Sequence, residues 1–330
     1  RVLKEFAYEL ADPVTEIFSH SLSSGCAPSI WKEADISPIP KDSLPPQESD
    51  FRPISLTPCL AKVLEEFVVE WLLQEIRTNI DPNQFGCLKG ISTNHCLLDM
   101  LHHWLWKLDT PGHHLRICFL DFRKAFDRIN LNTLLMKLIN LRICFLDFRK
   151  TFDRINLNTL LMKLTNLGVC RSILPWISSF LSERKRVQLG ESVSEWARVN
   201  AGVPQGTKLG PILFLVMVNN LIPPKCNHWK YVDYVTISEI IPRHNDSLIQ
   251  SNLNYVASWA DANHMRLNRK MCKGLRVCYF REPPILSPLT IGGTPLEVVN
   301  THKVLGVHIN CRLKWSDHVE EITRKAAKRL

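Results

Sequence analysis

The sequence predicts an α+β fold, in which short strands and helices interleave without the βαβ regularity of a doubly wound sheet. Three observations predict it. Amphipathic stretches with apolar residues three and four apart recur along the 330 residues, as in "TPCLAKVLEEFVVEWLLQEI". Short apolar or alternating runs such as "RICFLDF" and "GLRVCYF" lie between them and read as strands. Loops bearing Gly and Pro, such as "DPNQFGCLKGIS" and "AGVPQGTKLGP", separate the two kinds.

Taken in order, residues 1–30 have a helical spacing, with a break expected at Pro13. "WKEADISPIPKDSLPPQESDFRPISL" predicts two short strands around a polar loop, with Lys41 and Arg52 at their ends. A helix follows, with Thr57 as its expected cap, and another from about Ser92 to Leu108. The segment 115–140, "LRICFLDFRKAFDRINLNTLLMKLIN", is repeated at once over 141–166. Only Ala125/Thr151 and Ile139/Thr165 differ between the copies. Each copy reads as a buried strand and a helix, with Asp127 or Asp153 as the expected helix-start cap, so the pair is a tandem duplication and not a solenoid. A helix near 171–182 precedes the hairpin "RVQLGESVSEWARVN" and a Gly/Pro loop feeding the helix "PILFLVMV". "HWKYVDYVTISEI" predicts a β-hairpin, then a helix near 246–264, short strands, and the basic helix "HVEEITRKAAKRL".

Composition narrows the function classes. An apolar fraction of 45% and a charged fraction of 22% are those of a globular protein with ample core. No apolar run approaches the roughly 18 residues that span a bilayer, so no membrane partner is expected. The 41 basic and 32 acidic residues leave a formal charge of +9, which favours a polyanionic partner such as nucleic acid. Eleven scattered cysteines without C-x-x-C argue for reduced thiols in an intracellular compartment, cytoplasm or nucleus, and against zinc knuckles. The start lacks Met and a signal pattern, so the natural N-terminus is expected upstream in a longer polypeptide. Oligomeric state is left open. The adjacent pairs His102–His103 and His113–His114 do not face one site and are expected to pack or lie on the surface.

Asp121 and Asp233 carry the chemistry. Each follows or sits in a short apolar strand, which holds a carboxylate rigidly at a sheet surface. Two or three such carboxylates can hold a pair of Mg²⁺ ions about 4 Å apart, clamping an attacking hydroxyl and a leaving phosphate. Taken alone, the pair is outweighed by its ordinary reading as turn and cap residues.

The ordered blocks change that balance. From Trp31 the chain shows "WKEADISPIPK", "DFRPISLTPCLAKVLE", "NQFGCLKGIST", "FLDFRKAFDRIN", "GVPQGTKLGPILF", "KYVDYVT", "MRLNRKMCK" and "HKVLGVHINCRLKWSDHVE". This series resembles the reverse transcriptase domain of non-LTR (LINE-type) retrotransposons, block after block. The resemblance implies a right-hand polymerase-like fold: fingers over 1–110 and a palm over 111–310 whose antiparallel sheet is backed by helices. It also implies the start of a thumb over 311–330, truncated where the chain stops. It implies RNA-directed DNA polymerase activity with Mg²⁺, on an RNA template with a DNA primer and deoxynucleoside triphosphates.

Roles for matching positions follow from the resemblance. Asp121 or Asp147 is the first metal ligand, assisted by a backbone carbonyl of Phe122 or Phe148, and Asp233 is the ligand from the hairpin. Phe126 or Phe152 is the gate that excludes a ribose 2′-OH, with core packing as its alternative. Lys41 and Arg52 match residues that grip the triphosphate, a point charge and a planar fork, or else are solvated loop charges. Gln205 and Gly206 match the loop near template and incoming nucleotide. "RKAAKR" is expected to track a nucleic-acid backbone or to be a solvated helix face.

Four departures from the family pattern stand out. Active relatives carry two adjacent aspartates in the hairpin, whereas Tyr234 follows Asp233 here, and a phenol with a pKa of about 10 is a poor Mg²⁺ ligand. Glu239 lies too far along the strand to replace it. The duplication supplies two candidates for one central strand, and the second copy is expected to occupy it. Leu88 and Ile91 stand where basic residues are common, and Met271 stands where relatives place a Lys, with Lys270 and Lys273 flanking it. The expectation is therefore an impaired polymerase domain, with a catalytically dead remnant that only binds RNA as the alternative.

Overall fold

The computed structural model describes residues 2–40, 51–142, 173–182, 184–189, 191–198 and 202–328. The chain divides into two compact units, Arg1–Asn79 with Phe126–Met217, and Ile80–Ala125 with Val218–Leu330. The strands in chain order are β1 (Glu33–Pro40), β2 (Phe51–Leu56), β3 (His113–Asp121), β4 (Arg184–Leu189), β5 (Ser192–Val193), β6 (Ala197–Arg198), β7 (Asn227–Tyr231) and β8 (Tyr234–Pro242). They continue with β9 (Lys273–Val277), β10 (Thr290–Ile291), β11 (Thr294–Pro295), β12 (Glu297–Val299), β13 (Thr301–Val304) and β14 (Val307–Asn310).

In the first unit, β2-β1-β4-β5 form a sheet with β6 also on β4. β1 and β2 are an antiparallel hairpin, whereas β1 and β4 run parallel. The helix Ala7–Ser24 passes through Pro13 instead of breaking there and ends on Gly25 at φ 65°. Its residues Phe18 and Ser21 face inward, where Phe18 meets Trp31 edge-on at 5.8 Å and Trp176 donates its indole N–H to Ser21 Oγ at 2.9 Å. The helix Cys59–Ile76 has Pro58 and not Thr57 at its cap position, and the buried Thr57 hydroxyl makes no hydrogen bond among the described residues. Asp127 is likewise not a cap. It lies in the 3₁₀ turn Phe126–Arg128, and Asn130 Oδ1 instead accepts from the Thr133 N–H at 3.0 Å, ahead of the helix Leu131–Arg142. Asp153 lies outside the described residues.

In the second unit the central sheet runs β12-β9-β3-β8-β7, antiparallel except for β12 on β9. Period-two alternation along β3 sends Leu115, Ile117 and Phe119 to one face. There they pack with Leu275, Val277 and Trp229 against Cys96, Leu97, Met100 and Trp104 of the helix Thr93–Leu108. Ser92 caps that helix in a reciprocal box with His95. Glu239, paired across the sheet with Arg116 on the other face, accepts from the Leu248 and Ile249 N–H groups at 2.8 and 2.9 Å. It thereby caps the start of the helix Ile249–Ala262, which packs against β8.

The expectation about the repeat is corrected here. The first copy, not the second, supplies the central strand. Upstream residues His113 and His114 extend β3 to pair with Pro242 and Ile241. The second copy's Leu141 and Arg142, counterparts of Leu115 and Arg116, are instead the end of the helix Leu131–Arg142. Among the described residues no helix is long and apolar enough to cross a membrane.

Candidate active site

β3 ends on Asp121, and the β7–β8 hairpin turns through Val232 and Asp233 directly beside it. The register sets Asp121 opposite Tyr234. Val232 has φ 54°, a left-handed conformation at the first loop position of a two-residue hairpin, where Gly is preferred. A β-branched residue held there stores about 1–3 kcal/mol of strain, which the surroundings must impose. Gly86 is part of that imposition. A Cβ at Gly86 would lie 2.4 Å from the Val232 backbone nitrogen. The "QFG" segment is itself tied to β7, since Phe85 N–H donates to the Lys230 carbonyl and Lys230 N–H to the Asn83 carbonyl, both at 2.9 Å.

Both carboxylates feel this packing. Burial, then the charge of Asp233, pushes Asp121 up to about 6, while a hydrogen bond from Asn268 opposes the rise. Burial also raises Asp233. Burial and the Asp233 charge raise the Cys87 thiol to about 11, which puts the loop after Gly86 at this site too. Asn268 holds Asp121 twice: its backbone N–H donates to the Asp121 carbonyl at 2.7 Å and its side-chain amide to Oδ2 at 3.1 Å. Phe122 is buried and its ring lies 6.1 Å from that of Trp259. Tyr234, opposite Asp121 in the register, is 49% exposed. Glu239 is spent on its helix cap.

Beneath the hairpin lies a buried charge network. Lys230, fully buried, meets Asp81 Oδ2 at 2.7 Å and donates to the carbonyls of Val218, Asn219 and Leu221 at 3.0, 2.8 and 3.2 Å. His228 Nε2 lies 2.8 Å from the same carboxylate oxygen. Burial pushes Asp81 up, but the His228 and Lys230 hydrogen bonds outweigh it and hold the carboxyl well below its ordinary value. Sequence reasoning did not single out Asn268, Gly86, Asp81 or Lys230. The Gly in "QFG" and the Asn in "RLN" were visible signals without an assigned partner.

In the first unit, the "GVPQG" loop docks on the turn that carries Phe126. Gly202 N–H donates to the Ile129 carbonyl at 2.8 Å and Val203 N–H to that of Phe126 at 2.9 Å. Gly202 has φ 91° and so little room that a Cβ would lie 2.9 Å from the Asp127 carbonyl. The Phe126 ring is half-buried against Phe214, centroids 4.9 Å apart. The other end of the loop reaches β2, where the Gln205 carbonyl accepts from Ser55 N–H at 2.7 Å and Gly206 lies against Ile54 and Ser55. Arg52 is exposed on the same strand. Phe126, Gln205, Gly206 and the Arg52 strand are therefore linked through one loop. Lys41, Asp147, Phe148 and Phe152 lie outside the described residues.

The sequence pattern of the family described as reverse transcriptase (RNA-dependent DNA polymerase) matches residues 39–144 and 140–309. The two matches meet at the boundary between the copies. The chain is 28% identical, over 96% of its length, to a probable RNA-directed DNA polymerase from transposon X-element of Drosophila melanogaster. It is 26% identical, over 93% of its length, to the RNA-directed DNA polymerase from mobile element jockey of the same organism. It spans 33% and 32% of those relatives. A solved structure of apo telomerase from Candida tropicalis, truncated from its C-terminal domain, superposes with a TM-score of 0.55 at 14% identity, covering 93% of this chain and 59% of that one. That likeness gives the right-hand polymerase fold. The chain belongs to the reverse transcriptase (RNA-dependent DNA polymerase) family and, within it, to the reverse transcriptase domains of non-LTR retrotransposons.

Proposed function

We propose that this domain carries out RNA-directed DNA synthesis, extending a DNA primer on an RNA template with deoxynucleoside triphosphates, at a rate limited by Tyr234. The observation that carries the reading is the pair Asp121 and Asp233, brought together by β3 and the hairpin turn, with Asp121 pushed to about 6. Two oxygen donors whose charges repel each other suit a hard divalent cation, which relieves the repulsion. Reverse transcriptases as a family use such a metal, and Mg²⁺ is the ion proposed here. Asp121 and Asp233 would hold it, with the Phe122 carbonyl as a further donor. A bound Mg²⁺ supplies charge stabilisation of the attacking and leaving oxygens. The chain's own part is to hold both carboxylates in place, which Asn268 and the Gly86 loop do. Tyr234 supplies no carboxylate at the position where the family pattern has a second aspartate.

On the same reading Arg52 and Lys41 grip the triphosphate, Gln205 and Gly206 approach the template and incoming nucleotide, and Phe126 excludes the ribose 2′-OH. Fingers over 1–110, palm over 111–310 and a thumb from 311 belong to the proposal. Retention of both half-buried carboxylates and their holders speaks against a remnant that only binds RNA.

Primer extension on an RNA template with Mg²⁺ or Mn²⁺ tests it. Weak extension is expected from the unmodified chain, a rise of about tenfold or more from Tyr234→Asp, and none from Asp121→Asn. Extension that survives Asp121→Asn undiminished refutes the assignment.

A further inference from the structure

Arg116 and Arg276 stand directly opposite each other on β3 and β9. Arg116 lies five residues before Asp121, about 17 Å from it along the strand. Like charges placed opposite in an antiparallel pair repel, and the two side chains share one face of the sheet. Neither arginine is in an ion pair among the described residues. The buried Nε and Nη2 of Arg276 have no hydrogen-bond partner there either. On the same face His114 is fully buried with both ring nitrogens unbonded. Burial and the two guanidinium charges hold it below its ordinary pKa, so it stays neutral beside them. Glu239, opposite Arg116 on β8, is committed elsewhere: its carboxylate accepts from the Ser247 hydroxyl at 2.7 Å as well as from the Leu248 and Ile249 N–H groups. The fold thus sets two guanidinium groups side by side and pairs a carboxylate with neither.

Residues 278–289 leave β9 without forming helix or strand, and they pass over this pair. Arg116 Nη2 donates to the Ser287 carbonyl at 2.9 Å, which fastens the segment to the sheet. Ile285, Ser287 and Pro288 are exposed, and the Ser287 hydroxyl makes no hydrogen bond among the described residues. The chain has five Ser-Pro or Thr-Pro steps. Ser37 and Thr294 are held in strands, Thr57 is buried, and Thr110 is tied by its N–H to the Lys107 carbonyl. Ser287 alone combines exposure and irregular backbone with a guanidinium already at hand. We infer that Ser287 is a phosphorylation site for a proline-directed protein kinase, and that Arg116 and Arg276 receive its phosphate. The γ-phosphoryl group of ATP passes to Ser287 Oγ: the new O–P bond forms as the bridge to the β-phosphate breaks, ADP leaves and the hydroxyl proton is released. The phosphate brings the counter-charge that the arginine pair lacks, through forked charge-assisted hydrogen bonds, and draws the segment onto the sheet. The site is independent of the polymerase reading.

Incubation of the full chain with a proline-directed Ser/Thr kinase and ATP, with the sites mapped by mass spectrometry, tests it. Ser287 is expected to take phosphate ahead of Thr110, and Ser287→Ala to lose that one addition. Measured against Ser287→Ala treated in the same way, the phosphorylated chain should melt about 3 °C or more higher than the unmodified one. That gain should vanish in Arg276→Gln, which still carries phosphate on Ser287, and survive in part in Arg276→Lys, which keeps the charge without the fork. Phosphorus NMR adds a readout that stiffening of the loop alone does not move. The second ionisation of phosphoserine, ordinarily near 6, should fall below that value in the parent and return toward it in Arg276→Gln. No phosphate on Ser287 in the folded chain overturns the site. Phosphate on Ser287 with the same melting gain and the same ionisation midpoint in the parent and in Arg276→Gln overturns the role of the arginine pair.

Discussion

Replacing Lys230 by Met keeps most of the side chain's length and removes its charge from beneath the hairpin. Four contacts go together: the 2.7 Å ion pair with Asp81 and three hydrogen bonds to the carbonyls of Val218, Asn219 and Leu221. Breaking a buried pair by removing one partner costs about 3–5 kcal/mol, because the remaining charge stays buried. His228 still bonds Asp81 and offsets part of that loss. The Leu221 N–H continues to satisfy the Val218 carbonyl, so the three acceptors add little beyond about 1 kcal/mol. A net loss of about 4 kcal/mol is expected. With an m-value of about 2 kcal/mol per M of urea, the unfolding midpoint should drop by about 2 M.

The same residue sets an acid response. Asp81 is depressed in the folded chain, so its contribution is present above the ordinary carboxylate value and is lost as pH falls through and below it. Urea unfolding of the wild type followed by tryptophan fluorescence between pH 7 and 3 should lose stability at the acid end. Lys230→Met should be already weakened at pH 7 and flatter in acid, and Asp81→Asn should add little on top of it. A midpoint within about 0.3 M of wild type, with m unchanged, refutes the account of the network as a clamp.

Three further outcomes are expected. Gly86→Ala must move the Val232 backbone by about 1 Å, from 2.4 Å to ordinary contact, and a shift of that size at a reacting centre costs about 10²-fold; extension assays in the Tyr234→Asp background check it, and a loss under twofold contradicts it. Asp121 has its folded pKa raised to about 6, so the folded state gains a proton the unfolded chain lacks, and this stabilisation is lost as pH rises through 6. Melting without metal should therefore improve from pH 7 to 5, by about 1 kcal/mol from this group, and added Mg²⁺ should help more at pH 7 than at pH 5. Glu65→Ala removes the carboxylate that accepts from Lys208 and Leu209 N–H, at 2.9 and 3.1 Å, at the start of the helix Leu209–Val218; a loss of about 1–2 kcal/mol in chemical denaturation is expected.

Much of the fold was legible because its elements are periodic. "RICFLDF" and "KYVDYVT" announce strands that end on aspartates, and β3 and the β7–β8 hairpin are those strands. The chain order of the blocks carried the family, which no single strand could. The choice between the two copies was not legible, since they share almost every letter and the outcome depends on what precedes them. His113 and His114 lengthen the first strand, while helix continues into the second. Pro13 and Thr57 misled for a local reason: each was read from propensity alone, and tertiary packing of Phe18 and the preceding Pro58 set the helix ends instead. The holders of the site, Asn268 on Asp121 and Gly86 on Val232, act across 147 and 146 positions, and no local pattern encodes such a partner.

The helix Leu131–Arg142 runs straight across the seam between the two copies. Because the copies differ at only two positions, recombination between them would excise 26 codons in frame and leave a single copy running into Leu167 without a scar. The seam would then read "LIN" or "LTN" into "LGVC", according to whether the exchange falls after or before the Ile139/Thr165 position. The two departures from the family pattern thus differ in genetic reversibility: a single homologous exchange removes the repeat, whereas position 234 gains a carboxylate only by a change at its own codon.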